Sequence, residues 1–90
     1  MTIYDEIQQL RRDCGWDKTD TPAILAKSVF AESGELLECF LEEEDDPDWD
    51  AVKSEAADVL MYVISLCLDQ GWDVEEVIRG KFADVRSRYL

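Results

Sequence analysis

Ile3, Ile7 and Leu10 recur at helical spacing behind Thr2, and Asp5 stands three residues after it in a weak capping-box pattern. This predicts a first helix over about residues 3–13, ending at Gly15. The segment CGWDKTD (14–20) has no apolar period and reads as a loop. Thr21 followed by Pro22 is a helix start, and the pattern behind it predicts a second helix to about residue 43. A third helix is expected from about Asp48–Asp50 to Gly71, a typical C-terminal glycine. The fourth opens with Asp73 as cap and Glu76 three residues on, and carries the stripe Val74, Val77, Ile78, Phe82, Val85, Tyr89. No segment alternates with period two, so the expected fold class is all-α, a four-helix bundle unit in one domain over residues 1–90.

Two of these helices break the rule that apolar arcs are apolar. At about 100° per residue, Glu32 on the second helix is flanked by Leu25, Val29, Leu36 and Phe40 on one side. Ile24, Ser28, Glu35 and Cys39 flank it on the other. On the third helix Glu55 lies between Val52, Val59 and Leu66 on one side and Ala51, Asp58 and Tyr62 on the other. From residue 56 onward that helix is apolar nearly all round, which places it at the centre of the bundle. The second helix also has another apolar strip, Phe30, Leu37 and Leu41, almost opposite Glu32; a lone chain has no use for it, whereas a homodimer or homotetramer does.

Partly burying a carboxylate costs several kcal/mol, neighbouring like charges raise that further, and a domain has only ~5–15 kcal/mol of net stability. Four such anions therefore need compensation. Lys27, Lys53 and Lys81 could supply salt bridges; the alternative is a divalent cation. Oxygen donors without His or Cys suit Mg²⁺, with Mn²⁺ as the second choice.

Composition narrows the chemistry. The chain has 22 acidic and 9 basic residues, a formal charge of −13, which argues against nucleic-acid polymers and anionic membranes as partners. It contains no histidine, removing His-based triads and most zinc sites. Cys14, Cys39 and Cys67 are odd in number and form no CxxC pair, as expected for reduced thiols in the cytoplasm. The opening residues are charged within the first five, unlike a signal peptide. The longest apolar run, VLMYVISLCL (59–68), is half of a membrane span. The acidic stretch EEEDDPDWD (42–50) fails as an EF-hand loop, because Ala51 and Ala57 stand where the glycine and the bidentate glutamate belong.

ESGE (32–35) followed by EAAD (55–58) resembles the ExxE…ExxD signature of the MazG-like all-α nucleoside triphosphate pyrophosphohydrolases. CGWDKTDTPAILAKSVFAESGELLECF (14–40) resembles the MazG segment beginning C-P-W-D, and GKFADVRSRYL (80–90) the tail of dCTP pyrophosphatase-like proteins. The resemblance implies a MazG-like unit completed by oligomerisation, hydrolysing a nucleoside triphosphate to the monophosphate and pyrophosphate with Mg²⁺. By position it implies Glu32, Glu35, Glu55 and Asp58 as metal ligands and catalytic groups, Lys81 and Arg88 as phosphate contacts, and Trp16 as a stacking partner for the base. Gly15, Val85 and Leu90 depart from the family pattern and leave base and sugar preference open. Two alternatives stay beside this: a phosphoribosyl-ATP pyrophosphohydrolase, and a non-catalytic helical module neutralised by a partner's lysines.

Overall fold

In the computed structural model, which describes residues Met1–Leu90, the chain forms five helices and no strand. They are α1 (Ile3–Cys14), α2 (Trp16–Thr19), α3 (Pro22–Glu38), α4 (Trp49–Asp69) and α5 (Val74–Tyr89). The starts follow the expected side-chain caps. Thr2 and Asp5 exchange hydrogen bonds, the backbone N–H of Thr2 donating to Asp5 Oδ2 (3.0 Å) and that of Asp5 to Thr2 Oγ1 (3.2 Å). Thr21 Oγ1 accepts from Ile24 N–H, Asp48 Oδ1 from Asp50 and Ala51 N–H, and Asp73 Oδ1 from Glu76 N–H. Each satisfies an amide that the first helical turn leaves without a partner.

Two boundaries differ from the sequence expectation. Residues 16–19, expected as loop, form the one-turn helix α2, entered through Gly15 at φ 76°, a left-handed conformation natural to glycine. The helix expected to reach residue 43 ends at Glu38. Beyond it Cys39, Phe40 and Leu41 donate to carbonyls only three residues back. The electrostatic reason is local: α3 has no basic residue in its last turn, and a run of five acids from Glu42 follows the negative end of its dipole.

Packing centres on α4, as its all-round apolar character predicts. It lies along α3 as a helical hairpin and also touches α1 and α5, while α5 touches no other helix. An edge-to-face pair, Phe40 on Trp49 with centroids 6.1 Å apart, closes the hairpin at the loop. A second tie crosses the molecule: Arg11, 3% exposed, clamps Asp69 with two hydrogen bonds of 2.7 and 2.8 Å and also reaches Gln8 and Asp20. Only Leu25 has a fully buried large side chain. The radius of gyration is 15.3 Å, above the ~12 Å typical of a 90-residue domain, because α5 extends away from the hairpin. Phe30 and Leu37 lie exposed on α3 and Leu41 just beyond its end, and Val77, Ile78, Phe82, Val85 and Leu90 line an open groove along α5. No helix is long and apolar enough to cross a membrane.

Candidate active site

The α3–α4 hairpin brings three of the sequence-predicted acids together. Glu32 and Glu35, one turn apart on α3, meet Glu55 from the second turn of α4, and one oxygen from each lies within 4.8 Å of the other two. Glu32 Oε2 and Glu55 Oε2 are buried and accept no hydrogen bond. Lys27 and Lys53 form no ion pair, and no lysine or arginine nitrogen comes within 4.0 Å of the cluster. The salt-bridge compensation that the sequence left open is therefore not made within the chain.

Crowding sets the protonation of this group. Glu32 is pushed up to about 7 from its ordinary 4.5, first by the adjacent Glu35 carboxylate, then by burial, by Glu55, and by the charges of Glu35 and Asp58. The folded chain thus binds a proton that the unfolded chain releases near pH 4.5. Its stabilisation is fully present below that pH and lost as pH rises through about 7. In chelator, the melting temperature of the chain should fall between pH 5 and 8, and Glu32→Gln should flatten that slope. Parallel slopes for the two proteins in thermal melts would contradict the raised titration of Glu32.

Two orphaned carboxylate oxygens on apolar helix faces, among three converging acids, fit a hard divalent cation, whose preferred donors are oxygens. The donor set contains no sulfur or imidazole, which disfavours zinc and copper.

Beside the cluster, α1, α2 and α4 enclose a cleft of about 260 Å³ lined by Leu10, Arg11, Trp16, Asp20, Asp58, Met61, Tyr62 and Ser65. Asp58 stands here, one turn beyond Glu55, rather than among the three closest carboxylates. Trp16, half-exposed on α2, forms part of the wall. Tyr62 holds its phenolic proton more tightly than usual, through burial and the charges of Glu32, Asp58, Asp20 and Glu35, so its hydroxyl is a donor at neutral pH. Sequence reasoning missed Arg11, Asp20 and Tyr62 as cleft residues. A signal existed for two of them: Arg11 follows Ile7 by one turn on the same face, and Tyr62 follows Asp58 likewise.

Lys81 and Arg88 are placed elsewhere. Both are exposed on α5 and pair with Asp84, at 2.8 and 3.2 Å, and α5 does not touch α3.

Residues 20–89 match the model of the MazG nucleotide pyrophosphohydrolase domain. The fold is similar to the crystal structure of a pyrophosphatase from Archaeoglobus fulgidus, with a TM-score of 0.81 and 30% identity over 97% of this chain and 88% of that one. No curated protein matches the chain in sequence.

Proposed function

This chain belongs to the MazG nucleotide pyrophosphohydrolase family, and from that premise we propose that it hydrolyses nucleoside or deoxynucleoside triphosphates to the monophosphate and pyrophosphate with Mg²⁺. The observation that carries the proposal is the set Glu32, Glu35 and Glu55, converging with two buried, partnerless oxygens on the apolar faces of α3 and α4. An arrangement so unfavourable to an isolated fold makes sense where a cation and a phosphate chain neutralise it.

In the proposed roles, Glu32, Glu35, Glu55 and Asp58 hold the metal. When bound it supplies neutralisation of phosphate charge and a lowered pKa for coordinated water. A carboxylate of the set orients the attacking water and accepts its proton, while the bond between α-phosphorus and the bridging oxygen breaks and pyrophosphate leaves. Asp58 faces both the cluster and the cleft, joining phosphate chemistry to nucleoside binding. Trp16 offers its ring to the base, and Tyr62 offers a protonated hydroxyl between the two regions. The cleft is below the ~300–1,000 Å³ of complete ligand pockets, enough for a base while the phosphates extend over the carboxylates.

The proposal extends to assembly. Exposed Phe30 and Leu37 on α3 and Leu41 just after it, with the groove along α5, are apolar surface suited to a second copy of the chain. Lys81 and Arg88, which do not meet the cluster within one chain, then serve phosphates bound on a neighbouring copy. Sedimentation at micromolar concentration should give a dimer or tetramer; a stable monomer that hydrolyses nucleotides at full rate would overturn this extension.

The test of the activity is a panel of ribo- and deoxynucleoside triphosphates with Mg²⁺ or Mn²⁺, resolving pyrophosphate from orthophosphate. Metal-dependent release of pyrophosphate is expected. Release of orthophosphate alone, or no turnover and no thermal shift with either metal, would exclude it.

A further inference from the structure

The cleft has two chemically different ends. Asp58, Met61, Tyr62 and Ser65 line it from α4, and Asp58 to Ser65 spans seven residues, about 10 Å of helix. Asp58 marks the end beside the carboxylate cluster. The far end is closed by Ser65, Arg11 and Asp20, anchored through Arg11 to Asp69, one turn further along α4.

The donors at that far end are either engaged or buried out of reach of the cleft. Arg11 gives Nη1 to Asp69 and Gln8 and Nη2 to Asp69, and its Nε is sealed in the interior. Ser65 donates its hydroxyl to the Met61 carbonyl at 2.6 Å. Asp20 is different. Its side chain is mostly buried, 17% exposed, yet its link to Arg11 is a loose 3.5 Å against 2.7 Å for Asp69. At that length the guanidinium touches one carboxylate oxygen without saturating the group. The far end of the cleft therefore presents an acceptor-only group with unused capacity.

A nucleotide with its phosphates over Glu32, Glu35 and Glu55 and its base stacked on Trp16 would turn the edge opposite its glycosidic bond toward this end. That edge carries an amino group in cytosine and adenine, and a carbonyl in uracil, thymine, guanine and hypoxanthine. We propose that Asp20 reads the base, accepting a hydrogen bond from the exocyclic amine of cytosine or adenine and repelling the carbonyl that the other bases place there. This rests on the pyrophosphohydrolase reading above and adds to it the preferred substrate class. A carboxylate left facing a carbonyl in a confined cleft loses a charged hydrogen bond and gains a repulsion, a discrimination of about tenfold or more.

The pairs CTP/UTP and ATP/ITP isolate that edge. Wild-type chain should show kcat/KM at least about tenfold higher for CTP than UTP and for ATP than ITP. Asp20→Asn, whose amide can donate to a carbonyl, should bring both ratios to within roughly threefold, by raising UTP and ITP turnover as well as lowering CTP and ATP. Should that variant not fold, calorimetric binding of CMP, UMP, AMP and IMP to the wild-type chain carries the same comparison. Equal use or equal binding within both pairs, or ratios untouched by Asp20→Asn, would overturn the assignment of Asp20 and leave the hydrolase intact. Failure to hydrolyse any nucleotide would overturn the hydrolase reading, and the base-reading role with it.

Discussion

Changing Glu55 to glutamine is expected to do two opposite things: stabilise the metal-free chain and abolish most of its turnover. Glu55 has a buried oxygen with no hydrogen-bond partner and no cation within ion-pair distance, and it faces Glu32 and Glu35. An amide of the same shape removes one charge from this group and can donate to a neighbouring carboxylate. We expect a gain of roughly 1 kcal/mol in chelator, read as a rise of about 4–8 °C in melting temperature for a domain of this size. Hydrolysis should fall on the order of 10²–10³-fold in kcat/KM, the scale of losing one preorganised charged group from a transition state.

The sign of the first effect separates a ligand cluster from a structural one. A cation that binds only the folded chain adds RT ln(1 + [M]/Kd) to its stability. Wild type should therefore gain more from Mg²⁺ than Glu55→Gln does, and the order of the two melting temperatures should narrow or reverse when the metal is added. Had these carboxylates been fixed by lysines, the amide would strand a buried cation and lower stability in chelator. A Glu55→Gln chain that melts lower than wild type without metal and still turns over nucleotide would mean that the cluster holds the hairpin together and does no chemistry.

Both the hairpin and its cluster were legible because each depends on local periodicity. Once Leu25, Val29 and Leu36 fix the buried arc of α3, Glu32 and Glu35 have nowhere else to face, and the same holds for Glu55 between Val52 and Val59. The caps at Thr2, Thr21, Asp48 and Asp73 were equally local, each a side chain bonding an amide two or three residues on. What escaped was set by distance or by competition. A single turn such as WDKT carries too few residues to show a period, so α2 read as loop. The end of α3 was decided by charge repulsion in a run of acids rather than by apolar spacing. The hidden partner of Arg11 lies 58 residues away, beyond any pattern in the chain. An arginine beside an apolar stripe reads as a snorkelling surface residue until the packing of α1 on α4 is known. The cleft that Arg11 helps to line was invisible for the same reason.

That pairing makes Arg11→Met the most destabilising single change we expect. Arg11 is 3% exposed and bonds Asp69 through both terminal nitrogens, so its pKa is raised and that of Asp69 is lowered, each chiefly by their mutual hydrogen bonds. Methionine fills much the same volume but leaves Asp69, at 31% exposure, and Asp20, at 17%, without their counter-ion. Removing one partner of a fully buried pair costs about 3–5 kcal/mol; the partial exposure of Asp69 screens its share, giving roughly 2–3 kcal/mol here. Acid should erase part of the difference. Asp69 titrates below its ordinary 3.8, so its contribution is present above that pH and disappears as pH falls through the lowered value. Urea unfolding of both proteins at pH 7 and near pH 3 measures this directly. The gap should be wide at pH 7 and narrow in acid. A gap under about 0.5 kcal/mol at pH 7, the range of ordinary surface substitutions, would mean that α1 is held on α4 by its apolar stripe alone and that Arg11 and Asp69 merely coincide.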